Sequence, residues 1–443
     1  MKIIIGNHIE HSILKLSNDD RIFSQRVIWF AEDGDLIILP SKPDMQFLQH
    51  VTSLTGVDAN SLKFFVTSNN KSNEKHFDPQ ALYEEQFINS IRKEINNVTQ
   101  VLPMWPSPAI AHFVEKLSLS DKLQGASFFL QNGVELVNNK AYFRVFATAA
   151  GAPIADGRVC HSIEEAELAI RNLLSINDAV MIKQAHNGAG AGNELLIRDK
   201  SLGVGHVGAV HMHVLSTAND PIKSYLDSRW NWASANGKRP VIIEEFIPDA
   251  KTIYAEFFAN DEGVYFTGSG RLGYTNQRLV TEIAPLRGIS KEVETKLTTY
   301  GESLAKFYQS IGYRGYLSAD AVIEKDDNIV FTEVNSRVGG SLHVYDSIAN
   351  KVVKAKEEPE RTVVQYHSPL NWTPVAFETF HQFLEDNNLL YDSSKRKGIL
   401  ISLPILLEVG GYVSFCIVYE NEQEEKQYYS LLDNQFSTKK LYL

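Results

Sequence analysis

The stretch that decides the fold reads Gly315-Tyr-Leu-Ser-Ala-Asp320 and resumes as Phe331-Thr-Glu-Val-Asn-Ser-Arg-Val-Gly-Gly340. Residues 321–330, between the two parts, are apolar at both ends and polar at Asp326-Asp-Asn328 in the middle. Two apolar runs separated by such turn residues predict a β-hairpin. With the turn centred between its two aspartates, Asp320 is expected to lie directly opposite Glu333.

Three side chains of this hairpin are predicted to share one face. Glu333 and Asn335 are two residues apart on a strand and therefore point the same way, toward Asp320. Neighbouring carboxylates repel each other, and a hard divalent cation removes that repulsion. The pattern predicts a magnesium site, with manganese as an alternative ion, in which these three residues are the ligands and Arg337 lies beside them. A solvent-facing acidic hairpin, with a plain ion pair between Arg337 and Glu333, is the alternative interpretation.

The composition is that of a globular protein with about three domains of roughly 150 residues each. The chain has 443 residues, 54 acidic and 43 basic side chains and a net charge of -11. An acidic chain without a basic run disfavours duplex nucleic acid and anionic membranes as partners. The only cysteines, Cys160 and Cys416, form no CxxC pair, which disfavours a disulfide framework or a structural zinc site. With no apolar run near 18 residues and no signal-peptide core at its start, the chain is expected to be soluble and cytoplasmic.

The order of the predicted elements divides the chain into three regions and predicts an α/β fold with α+β subdomains. Residues 1–110 alternate strand-like and helix-like segments, which indicates a small N-terminal α/β module. Residues 111–350 form the second region, and residues 355–443 form a small β-rich extension. The predicted strands include Val27–Phe30, Leu36–Pro40, Leu62–Val66, Ala179–Lys183, Glu194–Arg198, Val241–Ile247, Gly398–Leu407, Tyr412–Tyr419 and Tyr428–Leu432, and the predicted helices are Gln80–Asn97, Ile163–Ser175 and Lys291–Ile311.

A glycine loop, His186-Asn-Gly-Ala-Gly-Ala-Gly-Asn193, connects two predicted strands. Glycines at alternate positions allow the backbone N–H groups to turn toward one face, where phosphate oxygens bind. Lys183 lies on the preceding strand and can reach the same phosphates. The segment after the loop is strand-like, so the loop is neither a Rossmann turn nor a Walker A loop. A flexible hairpin tip is the alternative interpretation.

Three other patterns carry weaker signals. Gly203-Val-Gly-His-Val-Gly208 has the letters of a dinucleotide fingerprint but lacks the strand before it and the helix after it, which indicates an ordinary loop. His211 and His213 could share a strand face, but no third ligand stands at a recognisable spacing, so structural histidines are predicted. Glu244-Glu-Phe-Ile247 ends an apolar strand and can offer backbone groups and a carboxylate to an adenine edge. Surface acids at a strand end are the alternative there.

Taken in this order, the motifs resemble those of the ATP-grasp superfamily of carboxylate–amine ligases over residues 110–350. The resemblance is most specific where Gly312-Tyr-Arg-Gly315 leads into Asp320 and the run from Glu333 to Gly340 follows. It implies ATP as the nucleotide, the same three magnesium ligands, and Arg337 facing the transferred phosphate. The nucleotide-binding residues that it implies are Lys140, Lys183, Gly188, Gly190, Gly192, Asn193, Glu244, Glu245, Phe246 and Ile247.

One position departs from the pattern of the superfamily. Many members bind the ribose hydroxyls with a glutamate several residues past the adenine hinge, and this chain has Lys251 there. Asp249 is the nearby candidate for ribose binding.

The flanking regions look like those of the pheganomycin-type peptide ligases. That resemblance implies an ATP-dependent ligation of an amino-acid or peptide carboxylate to an amine through an acyl phosphate, with release of ADP and phosphate. Lys183 and Arg337 are then the catalytic residues, and Arg271 and Arg287 are candidates for binding the substrate carboxylate, with surface charges as the alternative. A homodimer is left open. A biotin-carboxylase-like enzyme and a non-catalytic nucleotide-binding regulatory protein are the rival functions.

Overall fold

The computed structural model describes residues 1–7, 19–67, 75–187, 190–203, 207–215, 220–275 and 277–438. Gly188 of the predicted phosphate loop and the middle of the Gly203–Gly208 segment lie outside these residues. The strands are β1 Lys2–Ile5, β2 Leu36–Leu39, β3 Lys63–Val66, β4 Gln100–Pro103, β5 Gly157–Cys160, β6 Ala179–Gln184, β7 Asn193–Ile197, β8 His211–Val214, β9 Val241–Glu245, β10 Lys251–Ala259, β11 Val264–Thr275, β12 Arg278–Ala284, β13 Gly315–Ile323, β14 Ile329–Asn335, β15 Thr362–His367, β16 Gly398–Ile401 and β17 Ser414–Tyr419.

The α-helices are α1 Arg21–Ser24, α2 Met45–Thr55, α3 Glu85–Glu94, α4 Pro108–Lys116, α5 Ala126–Leu130, α6 Gly133–Val137, α7 Lys140–Ala149, α8 Ile163–Ile176, α9 Pro221–Ala233, α10 Lys291–Ser310, α11 Phe377–Asp386 and α12 Glu422–Phe436. A π-helix covers His343–Val352, and short 3-10 helices cover Gln25–Phe30, Ala59–Ser61, Ala81–Tyr83, Ser120–Lys122, Lys200–Gly203 and Leu407–Val409. None of the helices in the described part of the chain combines the length and apolarity needed to cross a membrane.

The N-terminal region contains a four-stranded parallel sheet in the order β3-β2-β1-β4. Strands β1 and β2 consist almost entirely of isoleucine and leucine, as expected when helices cover both faces of a parallel sheet. The predicted strand Val27–Phe30 is wrong, because these residues lie in a buried 3-10 helix. A short run of buried apolar side chains looks the same in a strand and in a helix, so periodicity could not separate the two.

A five-stranded sheet in the order β5-β9-β6-β7-β8 forms the small lobe of the second region. Its pairs are antiparallel except for β7 and β8, which run parallel. Helix α8, which was predicted almost to the residue, begins after Ser162, whose side chain accepts from the Glu165 N–H. Helices α8 and α9 pack together, and buried side chains of both join those of the sheet in one core.

The largest sheet has eight antiparallel strands in the order β14-β13-β10-β11-β12-β15-β17-β16. Its last three strands come from the C-terminal region, so the residues after 355 continue this sheet rather than form a separate one. Helix α10 begins after the capping residue Ser290 and packs on β10, β11 and β13. The predicted strand Tyr428–Leu432 is wrong, because it lies within α12, whose cap is Asn421 and whose first turn is acidic.

Replacement of Gly157 by alanine tests the contact between two strands of the small lobe. Gly157 pairs with Glu244, and a Cβ at Gly157 would lie 2.7 Å from the Glu244 Cα atom. Because that obstacle is backbone, we expect Gly157→Ala to lower the free energy of unfolding by roughly 1–3 kcal/mol. Urea denaturation measures this change. Gly263→Ala is the control, since its Cβ would meet nothing closer than 3.8 Å, and equal stability of the two variants would contradict the prediction.

Candidate functional site

The hairpin of β13 and β14 has the predicted pairing of residue 320 with residue 333, but its register nearer the turn differs from the predicted one. Asp320 lies opposite Glu333, and Ser318 lies opposite Asn335. Nearer the turn, however, Ala321 pairs with Phe331, so Thr332 is an extra residue that forms a β-bulge. Without the bulge, the register of the turn would place Thr332 opposite Asp320 and would turn Glu333 to the other face. The bulge therefore brings the two carboxylates together.

The predicted metal ligands form a connected cluster. The Asn335 side-chain nitrogen donates to Asp320 Oδ2 at 2.8 Å and to Glu333 Oε1 at 3.4 Å. The Ser318 hydroxyl donates to the other Asp320 oxygen at 2.6 Å. Lys140 Nζ lies 3.0 Å from Glu333 Oε2. All three predicted ligands therefore converge on one patch, with one of the predicted lysines beside them.

The pKa values of the two carboxylates in this cluster are shifted in opposite directions. Burial, followed by the charge of Glu333, raises the pKa of Asp320 to about 7. Burial also acts to raise the pKa of Glu333, but the adjacent Lys140 outweighs it and lowers that pKa to about 2. Lys140 thus neutralises the charge of Glu333, whereas Asp320 forms no ion pair within the described part of the chain.

The donor set fits a hard divalent ion. Two carboxylates and one amide oxygen are ligands that Mg²⁺ and Mn²⁺ accept. The Asn335 amide now turns its nitrogen toward both carboxylates, and a half-turn of that amide would present its oxygen instead. Within the described residues no group of three His, Cys, Asp or Glu side chains could hold a metal ion. An ion at this cluster would therefore depend on the amide.

The two predicted lysines enter the site from different elements. Lys140 is the first residue of α7, and its ammonium group donates to the Asn187 carbonyl as well as pairing with Glu333. Lys183, on β6, is paired with Glu244 of β9. Glu244 also accepts from Arg144 at 2.8 Å. Both lysines are buried and held by carboxylates, so both are positioned before any ligand arrives.

A cavity of about 610 Å³, the first cavity, lies between the small lobe and the large sheet. It is lined by many of the predicted nucleotide-binding residues and by two of the predicted metal ligands, namely Lys183, Gly190, Asn193, Glu244, Glu245, Phe246, Ile247, Asp249, Asp320 and Glu333. Gly192 does not line it, but a Cβ there would come within 2.7 Å of the Asn187 Cβ atom. The volume lies in the range of small-molecule and cofactor sites.

Two residues that were not predicted as site residues, Arg278 and Gly208, also line the first cavity. Arg278, at the start of β12, donates to the Ser368 carbonyl at 3.3 Å and lies 5.4 Å from the centre of the Tyr412 ring. Gly208 belongs to the segment predicted as an ordinary loop, and its carbonyl accepts from Asn193 at 2.6 Å. A single arginine on a strand, such as Arg278, has no sequence motif that would mark it as a site residue. Gly208 enters the site through its contact with Asn193, which forms only in the folded chain.

The candidate substrate arginines lie elsewhere. Arg287 forms an ion pair with Glu360 at 2.8 Å, and both side chains are substantially exposed. Arg271 pairs with Ile283 in the sheet. Neither arginine lines the first cavity or the second cavity described next.

The second cavity, of about 640 Å³, lies on the other side of the metal cluster. Glu333 lines both cavities, whereas Lys140, Asn335 and Arg337 line the second. The Arg337 guanidinium carbon lies 4.4 Å from the centre of the Trp105 ring, and its Nη1 donates to Asn138 at 3.2 Å. Within the described residues Glu333 pairs with Lys140, and no ion pair joins it to Arg337.

A buried acidic network lies behind the hairpin, on β10 and β12. Glu256 is fully buried and accepts from the Tyr345 hydroxyl at 2.6 Å, and its second oxygen has no hydrogen-bond partner among the described residues. Glu282 accepts from the Tyr254 hydroxyl at 2.7 Å. Burial raises the pKa of both glutamates, that of Glu256 to about 8. Glu256 is therefore neutral in the folded chain at neutral pH.

The neutral state of Glu256 predicts a pH dependence of stability. Between its usual pKa of 4.5 and its folded value of about 8, the folded state holds one more proton than the unfolded state. The free energy of unfolding should therefore fall as pH rises through this window. In Glu256→Gln, whose side chain resembles the neutral acid, the fall should be smaller by about 2–4 kcal/mol. Urea denaturation at pH 5 and pH 8 measures the free energy of unfolding of both proteins. The control is Glu302→Gln, on the exposed face of α10. The same pH dependence in Glu256→Gln as in the wild type would contradict the prediction.

Comparisons with known proteins bear on the fold of the chain. Residues 24–119 match the family model of the pre-ATP-grasp domain. Biotin carboxylase 2 of Bacillus subtilis (strain 168) is 23% identical over 205 residues, which are 46% of this chain and 41% of that protein. The chain thus spans less than half of the length of the curated relatives that it matches.

Two solved structures resemble almost the whole chain. An N5-carboxyaminoimidazole ribonucleotide synthetase in its ADP complex has a TM-score of 0.59 at 15% identity and covers 98% of this chain and 96% of its own. Biotin carboxylase from Campylobacter jejuni, in complex with β-γ-ATP, has a TM-score of 0.57 at 14% identity and covers 96% of this chain and 89% of its own. These likenesses confirm the predicted fold class, which is a mixed α/β chain with the ATP-grasp fold and a pre-ATP-grasp domain.

Proposed function

We propose that this chain is an ATP-dependent enzyme that joins a carboxylate to an amine through an acyl phosphate, with ADP and phosphate as the other products. An amino acid or peptide is the proposed carboxylate, as the resemblance to pheganomycin-type peptide ligases implies. One observation carries the proposal. The predicted adenine hinge, a phosphate-binding lysine, the described part of the glycine loop and two metal ligands line a single cavity of about 610 Å³.

The first cavity offers a place for each part of ATP. The backbone of Glu244–Ile247 and the Phe246 ring would bind the adenine at one end. Lys183, Gly190 and Asn193 would bind phosphate oxygens, and Asp249 is the proposed ribose contact. Asp320 and Glu333 lie where the phosphates would end. On binding, phosphate oxygens would replace the Glu244 carboxylate as the partner of Lys183, while Glu244 keeps its bond to Arg144.

Asp320, Glu333 and the Asn335 amide oxygen would hold Mg²⁺. Bound there, the ion offsets the charge that builds up on the phosphates during phosphoryl transfer. The chain's own contribution is positioning and charge. Lys140 and Lys183 supply fixed positive charge, and Arg337 supplies a guanidinium group on the far side of Glu333.

The proposed reaction has two transfers. A carboxylate oxygen of the substrate forms a bond to the γ-phosphorus as the bond to the β-γ bridging oxygen breaks, and that electron pair leaves on ADP. The amine nitrogen then attacks the acyl carbon, phosphate leaves with the C–O electron pair, and the amine proton passes to solvent. Arg337 stabilises the negative charge that develops in both steps. We also propose three domains, at residues 1–110, 111–350 and 355–443.

ATP-dependent carboxylation of a small acceptor is a second candidate function. The similarity to two biotin carboxylases favours it, and bicarbonate, like a carboxylate, can attack the γ-phosphorus. A non-catalytic regulatory role fits less well, because the chain retains both lysines and the full metal-ligand set.

Formation of ADP with pools of substrates tests the proposal. We expect ADP to appear when the purified chain receives MgATP, a pool of amino acids and short peptides as carboxylates, and a pool of amines. Omission of either pool should reduce the rate to background. Dependence on bicarbonate instead would favour the carboxylase, and tight ATP binding without ADP formation under any condition would favour the regulatory protein.

A further inference from the structure

None of the residues proposed to bind the adenine or the ribose lines the second cavity, although it opens on the same metal cluster. The adenine hinge lines only the first cavity, and Glu333 is the residue that the two cavities share. An ATP whose base lies at the hinge and whose phosphates extend to Glu333 therefore ends where the second cavity begins. A molecule in the second cavity would meet the terminal phosphate.

Among the residues that the structure describes, the ion pairs of the second cavity leave one of its cations without a carboxylate partner. Three cationic and two acidic side chains line it. Lys140 is paired with Glu333, and Arg239 is paired with Glu135. Arg337 remains: it forms no ion pair within the described residues, its guanidinium lies over the Trp105 ring and donates to the Asn138 side chain, and the charges of Glu333 and Asp320 act on it only from beyond ion-pair distance. One unpaired guanidinium matches a single carboxylate; a phosphorylated or dicarboxylic ligand would need more cations.

The uncharged part of the lining of the second cavity is rich in amides. Apart from the metal-cluster residue Asn335, seven lining residues carry a side-chain amide, and two carry an indole. Amides donate and accept hydrogen bonds, so they match peptide groups. Among them, Asn231 and Asn236 are exposed and form no side-chain hydrogen bond within the described residues. Their bonding groups are free to meet a ligand.

We propose that the second cavity binds the carboxylate substrate, and that this substrate is a monocarboxylate with an uncharged, amide-bearing body of the size of a small peptide. Its carboxylate lies against Arg337, beside the terminal phosphate, and its amide groups lie along the wall that includes Asn231 and Asn236. The activation of this carboxylate by ATP rests on the proposed function. The binding of the substrate in the second cavity rests only on the residues that line the cavity.

Hydroxylamine trapping tests the substrate class. Hydroxylamine attacks an acyl phosphate at its acyl carbon and releases phosphate, so each activated carboxylate is recovered as a hydroxamate without knowledge of the natural amine. The probes are N-acetyl-Ala-Ala, its C-terminal amide and N-acetyl-Asp-Asp. We expect hydroxamate from the first probe only. A preference for the aspartate peptide would overturn the inference.

Two substitutions test the location. In the double variant Asn231→Asp with Asn236→Asp, two carboxylates replace free amides, and we expect the KM for N-acetyl-Ala-Ala to rise about tenfold while the KM for ATP stays within twofold. Asn172→Asp is the matched control, because Asn172 is an exposed residue near the end of α8 in the same lobe and lines neither cavity. An unchanged peptide KM in the double variant would overturn the inference.

Calorimetry without ATP separates this inference from the proposed function. N-acetyl-Ala-Ala should bind the wild-type chain and bind the double variant about tenfold more weakly. Such binding without any hydroxamate or ADP would reject the proposed ligase reaction and support the cavity assignment. Hydroxamate formation with no difference between the variants would support the reaction and reject the cavity assignment. Absence of both binding and hydroxamate would reject both.

Discussion

Replacement of Glu333 by glutamine is expected to lower the rate of ADP formation by roughly 100- to 1,000-fold, the usual loss when one preorganised electrostatic group is removed from an active site. Glu333 is the residue common to both cavities, the partner of Lys140 and a proposed metal ligand. A neutral amide cannot offset the charge of Lys140 or of a metal ion. The apparent affinity for Mg²⁺ should therefore fall together with the rate.

The fold should survive Glu333→Gln, because glutamine has the same shape and Asn335 still holds Asp320. A coupled assay for ADP, a magnesium titration and a circular dichroism spectrum measure the three effects. Asp326→Asn is the control on the same hairpin, since Asp326 is exposed at its turn. Full activity of Glu333→Gln at low magnesium would remove Glu333 from the metal site.

Replacement of Lys183 by methionine is expected to lower the rate roughly 100-fold, mainly because the phosphates lose a fixed positive charge in a buried site. Lys183 is nearly buried and lines the first cavity. Its carboxylate partner, Glu244, keeps the bond to Arg144 at 2.8 Å, so no buried charge is left alone. Methionine preserves most of the apolar length of the side chain.

The loss of rate in Lys183→Met can be distinguished from a loss of stability by measuring thermal unfolding and ATP kinetics separately. Thermal unfolding should change by only a few degrees, whereas the KM for ATP should rise and the maximal rate should fall. Lys238→Met is the matched control, because Lys238 is an exposed lysine of the same lobe. If Lys183→Met kept normal ATP kinetics, the first cavity could not be the phosphate site in the form that we propose.

Local sequence was sufficient for the elements with strong patterns. The helices α8 and α10 have clear apolar periodicity and a capping serine at the start, and both were predicted within one residue. The strands β6, β7 and β9 are short apolar runs next to recognisable turns. Two runs failed. Val27–Phe30 and Tyr428–Leu432 look like strands by composition, but capping and tertiary burial placed both in helices.

The pairing of Asp320 with Glu333 in the hairpin was predicted correctly, but the prediction did not include the β-bulge that produces it. The sequence predicted Asp320 opposite Glu333 from a turn between Asp326 and Asp327. The observed turn pairs Ile323 with Ile329, which is centred half a residue earlier, and the bulge at Thr332 restores the predicted pair. A bulge is set by packing of the flanking strands, which has no simple local signature.

The sequence by itself determined the types of residue at the site and their order along the chain, because a two-residue period on one hairpin and a lysine before a glycine loop are local facts. Only the tertiary structure decided which charges meet. It paired Lys140 with Glu333 and Lys183 with Glu244, brought Arg278 into the first cavity and, among the residues that are described, left Arg337 without an ion-pair partner. These contacts join residues that lie far apart in sequence, and their geometry depends on how three sheets pack rather than on any one segment.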